Sequence, residues 1–153
     1  MKSFSVCAVC LLLLTGCSQK SAFSNFELSK EQEYSISNTQ RAKIVSPTQV
    51  EGVFTAVYLN NIYPQKHSAS DFFLIFFYTK NDIHPKELVF TANQKNALTI
   101  EAIEKNEEFA DLFEMQNSWN SCYMLEFKSD ASNEIIFEVS GKSYSSIKLI
   151  YKK

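Results

Sequence analysis

The sequence predicts an all-β domain, a two-sheet β-sandwich of about seven strands with one short helix; a small closed β-barrel is the alternative. Three observations carry that expectation. Short segments rich in β-branched and aromatic residues recur between turn formers across residues 34–151. The most apolar of them, Phe72-Phe73-Leu74-Ile75-Phe76-Phe77-Tyr78, is too short for a buried helix and suits a strand covered on both faces. Helical spacing replaces alternation at one place, where Phe109, Leu112 and Phe113 stand at i, i+3 and i+4.

Taken in order, residues 34–45 read as a weak entry strand stopped by Pro47. Residues 50–59 follow, with Val53, Thr55, Val57 and Leu59 on one face and Phe54, Ala56 and Tyr58 on the other, so both faces are apolar and the strand should be central. Residues 60–70 form a loop, and Asp71, Lys80 and Asp82 flank the apolar run as gatekeepers against aggregation. A turn at residues 81–85 leads to a short strand at 88–91, then to one in which Leu98, Ile100 and Ala102 alternate with Thr99 and Glu101. Asn106 can cap a two-turn helix running through Glu114. Strands at 119–128, 134–139 and 146–151 close the domain, with Ser140-Gly141-Lys142 as the last turn. Strand number and turn spacing favour an immunoglobulin-like sandwich over a barrel, although Trp119 and Cys122 stand without the second cysteine of the antibody signature.

Hydrophobic residues make up 45% of the chain, with thirteen Phe and seven Tyr, which is ample for one packed core over residues 31–153. A net charge of -2 with scattered Lys and Arg lacks the basic footprint of a nucleic-acid binder.

Residues 1–16 have the form of a leader: Lys2, a short apolar run from Val6 to Leu14, then small residues before Cys17. The run is less than half of the roughly 20 residues a spanning helix needs. Leu14-Thr15-Gly16-Cys17 resembles the lipobox of bacterial lipoproteins. That resemblance implies cleavage before Cys17, acylation of its thiol with chains such as palmitate, and a membrane anchor in the cell envelope. Ser18, where Asp would signal retention, implies the outer membrane. Residues 17–30, polar and serine-rich, then read as a flexible tether. The strand pattern is also similar to small immunoglobulin-like lipoproteins of Campylobacter-type bacteria. With Cys7 and Cys10 in the leader and Cys17 acylated, Cys122 is the one remaining thiol, buried as a small hydrophobe or bridging a homodimer.

Chemistry-bearing patterns are sparse. Glu107, Asp111 and Glu114 share one face of the expected helix and could meet a cation or a basic partner, but no EF-hand spacing accompanies them, and a solvated helix face is favoured. His67-Ser68-Ala69-Ser70-Asp71 holds the residue types of a hydrolytic triad without the separate elements and oxyanion hole such a triad requires. His67 and His84, the only imidazoles, are expected at the surface and make no zinc pattern, and no cofactor motif is present. Tyr63 and Tyr144, outside the expected strands, and Trp119, at the first position of one, are candidates for an interaction patch. The expectation is therefore a non-enzymatic binding module for a protein partner. A carrier of a small apolar ligand or an envelope-assembly factor, and an inhibitor of a basic hydrolase such as lysozyme, are the alternatives.

Overall fold

The structure, a computed structural model, describes residues 29–67, 69–81, 83–105, 107–114 and 120–153. Helix α1 (Lys30–Ser37) leads into strands β1 (Thr39–Val45), β2 (Val50–Tyr58) and β3 (Ser70–Thr79). A 3-10 turn at Pro85–Glu87 precedes β4 (Leu88–Ala92), β5 (Lys95–Asn96) and β6 (Thr99–Ala102). A 3-10 segment at Glu107–Phe109 runs into α2 (Ala110–Glu114), and β7 (Ser121–Lys128), β8 (Glu134–Gly141) and β9 (Leu149–Lys152) follow.

All strand pairs are antiparallel, in a five-stranded sheet ordered β1-β2-β3-β7-β6 and a four-stranded sheet ordered β5-β4-β8-β9. Within these, β3-β7-β6 repeats the B-E-D order of an immunoglobulin sandwich and β5-β4-β8-β9 the C′-C-F-G order. The sheets touch where Val45 and Ser145 exchange two backbone hydrogen bonds of 2.9 and 3.0 Å, but no ladder continues from there. The domain is a sandwich, and the barrel alternative falls.

Strand alternation sorts the apolar residues into two cores. Phe54, Ala56 and Tyr58 of β2, Phe73, Ile75 and Phe77 of β3, and Leu125 and Phe127 of β7 face Phe90, Ile135, Phe137 and Tyr151 across the sandwich. The rings of Phe73 and Phe137 lie 4.9 Å apart, and those of Phe73 and Tyr151 5.1 Å, so aromatic packing fills the space between the sheets. The opposite faces of the same strands, with Val57, Leu74, Phe76 and Cys122, form a second core under Leu59, Ile62, Phe109 and Leu112. Both faces of β2 and β3 are thus covered, as their composition predicts; each fully buried Phe or Leu contributes about 1.5–3 kcal/mol.

Ser140 and Gly141, expected in the last turn, belong to β8, and β9 begins only at Leu149. Two further features depart from expectation. The first third of the expected entry strand, residues 34–37, belongs to α1: Ser29 Oγ accepts from the Gln32 N–H (3.1 Å) while Gln32 Oε1 accepts from the Ser29 N–H (3.0 Å), a reciprocal cap that starts the helix. Strand β5 is the second, joined to β4 by a two-residue turn in which Asn93 (φ 48°) and Gln94 (φ 65°) take left-handed conformations, the geometry that matches hairpin twist. Gly52 has a packing reason: a Cβ there would stand 2.6 Å from the Tyr78 carbonyl oxygen.

Candidate functional site

The two sheets differ in what lies outside them. The five-stranded sheet carries the second core, with the loop at 59–67 and α2 packed over it. In the four-stranded sheet the inward residues of β4, β8 and β9 fill the main core, and period-two alternation turns Val89, Ile136 and Ile150 outward. They are 44%, 36% and 54% exposed. Ile136 and Ile150 stand directly opposite each other in register, so they form one apolar pair across β8 and β9.

Polar groups frame that pair on both sides. Toward β4, a concavity of about 350 Å³ is lined by Asn93, Asp130, Ser132, Glu138 and Lys148, with Ile136 at its edge. Asp130 accepts from Asn93 Nδ2 (3.2 Å), the Ser132 N–H (3.1 Å) and Lys95 Nζ (3.2 Å). Burial pushes its carboxyl up, but these hydrogen bonds and the Lys95 charge outweigh it and hold the group down at about 2.

On the other side, between α1 and the edge of β9, lies an open groove of about 530 Å³. Tyr34 from α1, 57% exposed, and Ile150 line it together with the amides of Asn38, Gln40 and Asn61. Asn61 Nδ2 donates to the Lys152 carbonyl (2.8 Å) and to Asn38 Oδ1 (2.9 Å), and Gln40 Nε2 donates to the Ile150 carbonyl. Side-chain amides thus take carbonyls on the open edge of β9, which blunts it against pairing with a further strand.

The residues singled out from the sequence are dispersed. Tyr63 is half-buried in the second core, its ring 6.0 Å from Phe109 with Lys66 Nζ 5.5 Å over it, whereas Tyr144 packs on the main core, so the intervening sheet separates them. Trp119 lies outside the described residues, as do the side chain of Glu114, the expected cap Asn106, Asp82 and the whole leader with Cys17. Glu107 is exposed, and Asp111 accepts from Ser29 Oγ (3.2 Å), which ties α2 to the cap of α1. Glu108 pairs with Lys66 at 3.0 Å.

His67 corrects an expectation. Its ring packs at a tilt of 40° against Phe72, 4.6 Å between centroids, its Nε2 is buried without a partner among the described residues, and burial lowers its pKa. His84 is at the surface, where its Nδ1 accepts from the Lys86 N–H (3.1 Å) and caps the 3-10 turn. Asp71 lies on the other face of β3 from Phe72, buried, accepting from Tyr58 Oη (2.9 Å) and Lys153 Nζ (2.7 Å). His67 and Asp71 therefore do not form a relay. Cys122 is buried in the second core, which pushes its thiol up to about 12. Among the described residues no three His, Cys, Asp or Glu side chains converge as metal ligands, and no helix is long and apolar enough to cross a membrane.

The outward pair and its two polar flanks are non-local: β4, β8, β9 and α1 each contribute, and the sequence signal was only that Ile136 alternates with inward Ile135 and Phe137. Comparisons of the chain with protein-family models, with curated proteins and with solved structures find no match.

Proposed function

We propose that this chain is a lipid-anchored protein of the bacterial cell envelope, in the outer membrane, that acts without catalysis by presenting the outer face of its four-stranded sheet to another macromolecule. The observation that carries the reading is the asymmetry of the sandwich: the outer face of β2, β3 and β7 carries the second core, while the four-stranded sheet leaves Val89, Ile136 and Ile150 exposed on its outer face. An apolar centre framed by polar groups is the anatomy of a transient interface. The anchor rests on Leu14-Thr15-Gly16-Cys17, and two or more acyl chains on Cys17 would hold the chain at a bilayer where one holds it marginally.

The carrier reading has less support, because rings packed 4.9–6.1 Å apart fill the space between the sheets. Inhibition of a basic hydrolase draws less too, since Glu108 and Asp111 are engaged with Lys66 and Ser29.

Two measurements test the proposal. Labelled palmitate should enter the wild-type chain and not Cys17→Ala. Photocrosslinkers placed at Val89 in intact cells should yield a discrete adduct that Ile136→Glu with Ile150→Glu abolishes; absence of any adduct, or one indifferent to both changes, rejects the interface.

A further inference from the structure

The groove between α1 and β9 offers a ligand chemistry narrower than that of the sheet face beside it. No carboxylate is among its lining residues, and Lys152 is the one charged side chain there. Its volume, about 530 Å³, is within the range of small-ligand sites. The two amides that cap β9 do so with their nitrogens; the Gln40 and Asn61 amide oxygens take no partner among the described residues and remain as acceptors. Ser37 adds a hydroxyl. Beside these stand an exposed phenol ring, Tyr34, and the aliphatic end of Ile150.

Neutral acceptors at fixed positions next to an open aromatic face suit a ligand that has many hydroxyl or amide donors around an apolar C–H face. An extended peptide would instead seek backbone carbonyls on the edge of β9, and those of Ile150 and Lys152 are already occupied. An anionic polymer would want more than one cation. We infer that this groove binds a neutral oligosaccharide, with one sugar ring on Tyr34 and its hydroxyl or acetamido donors on Gln40 and Asn61. This deepens the binding-module reading and rests on it, but not on the anchor at Cys17.

The test uses the full chain in detergent micelles titrated with chitotriose, a neutral sugar with acetamido groups. Calorimetry should detect binding that falls roughly tenfold or more in Tyr34→Ala, the loss expected for an aromatic contact of about 1.4 kcal/mol. Tyr34→Phe should retain it, and unchanged thermal unfolding of both variants shows that the fold is intact. No heat at millimolar sugar overturns the inference, as does binding indifferent to Tyr34→Ala. Displacement of chitotriose by an extended Thr-Val heptapeptide assigns the groove to peptide and overturns it too. The crosslinking at Val89 reads the sheet face separately: an adduct lost in Ile136→Glu with Ile150→Glu, with no sugar bound, removes the glycan and leaves the interface standing.

Discussion

Asn93 continues β4 past its own turn by pairing with Ile136 twice: its backbone N–H donates to the Ile136 carbonyl (2.9 Å), and its side-chain Oδ1 accepts from the Ile136 N–H (2.8 Å). Its Nδ2 also donates to the Glu134 carbonyl (3.0 Å) and to Asp130. One left-handed residue thus holds the hairpin, the β7–β8 turn and the backbone of the outward-facing Ile136. Asn93→Ala removes the side-chain bonds, and with them the polar side chain that lets Asn tolerate a φ of 48°. It should destabilise the domain by about 1–3 kcal/mol in urea unfolding. Gln94→Gly, which relieves the φ of 65° at an exposed position, should stabilise it by roughly 0.5–1 kcal/mol. Equal and small effects of the two changes would mean that the turn does not set the register.

The ion pair between Asp71 and Lys153 closes the sandwich at the end of β9. Lys153 Nζ reaches Asp71 at 2.7 Å, Ser129 Oγ at 3.1 Å and the Asp130 carbonyl at 3.0 Å, and Asp71 also takes the Tyr58 hydroxyl. Removing one partner leaves a largely buried charge, so Lys153→Met should cost about 3 kcal/mol. Lys153→Met with Asp71→Asn should cost less than the two single changes added, because neither then strands a charge. A double-mutant cycle in chemical denaturation measures that coupling, and strict additivity would deny the pair.

His67 makes the second core sensitive to acid. The ring packs against Phe72, Nε2 is buried without an acceptor among the described residues, and burial lowers the pKa; the nearby Glu108 charge opposes this and Lys66 assists it. For a base whose folded pKa is depressed, the unfolded chain binds the proton more readily. The stability is therefore whole above the ordinary value of 6.5 and is lost as pH falls through the lower folded value. Thermal unfolding from pH 7 to 5 should show a falling Tm that His67→Phe flattens, with the ring contact to Phe72 retained. An unchanged slope in His67→Phe assigns the loss to carboxylates instead.

Much of this architecture is legible in local pattern, and the exceptions have local causes. The run from Phe72 to Tyr78 and the two apolar faces of residues 50–59 announce the central strands, because a strand shared by two cores must be apolar on both sides. Residues 34–37 mislead: Tyr34 and Ile36 are strand formers, and α1 has little amphipathic pattern because it leaves both side chains exposed. The Ser29…Gln32 spacing was the available signal. The turn at Asn93 and Gln94 has no glycine to mark it. The groove is not readable at all from one dimension, since Tyr34, Gln40, Asn61 and Ile150 come from separate elements. His67 is misplaced for the same reason, its burial being set by Phe72 on a strand that follows.

Cys122 is the last test, because its place decides whether two copies could be joined through sulfur. The thiol lies on the second-core face of β7, opposite Phe76 and two residues from Met124, and burial raises its pKa from 9.0 to about 12. The thiolate is the attacking species, so the native thiol should react with a disulfide reagent at pH 8 only as fast as the second core opens. Denaturant should restore rapid reaction, and a non-reducing gel of folded Cys17→Ser protein should show no dimer that Cys122→Val removes. Burial of Tyr58 and Tyr151 raises their phenols as well. All three groups hold their protons more tightly when folded, so their stabilisation is complete below about pH 9 and is lost as pH rises toward the folded values. Cys122→Val should therefore reduce the first part of the alkaline loss of stability between pH 9 and 11, while keeping the core filled. Rapid native labelling at pH 8, or a disulfide dimer that Cys122→Val removes, would show the second core to be open at this strand.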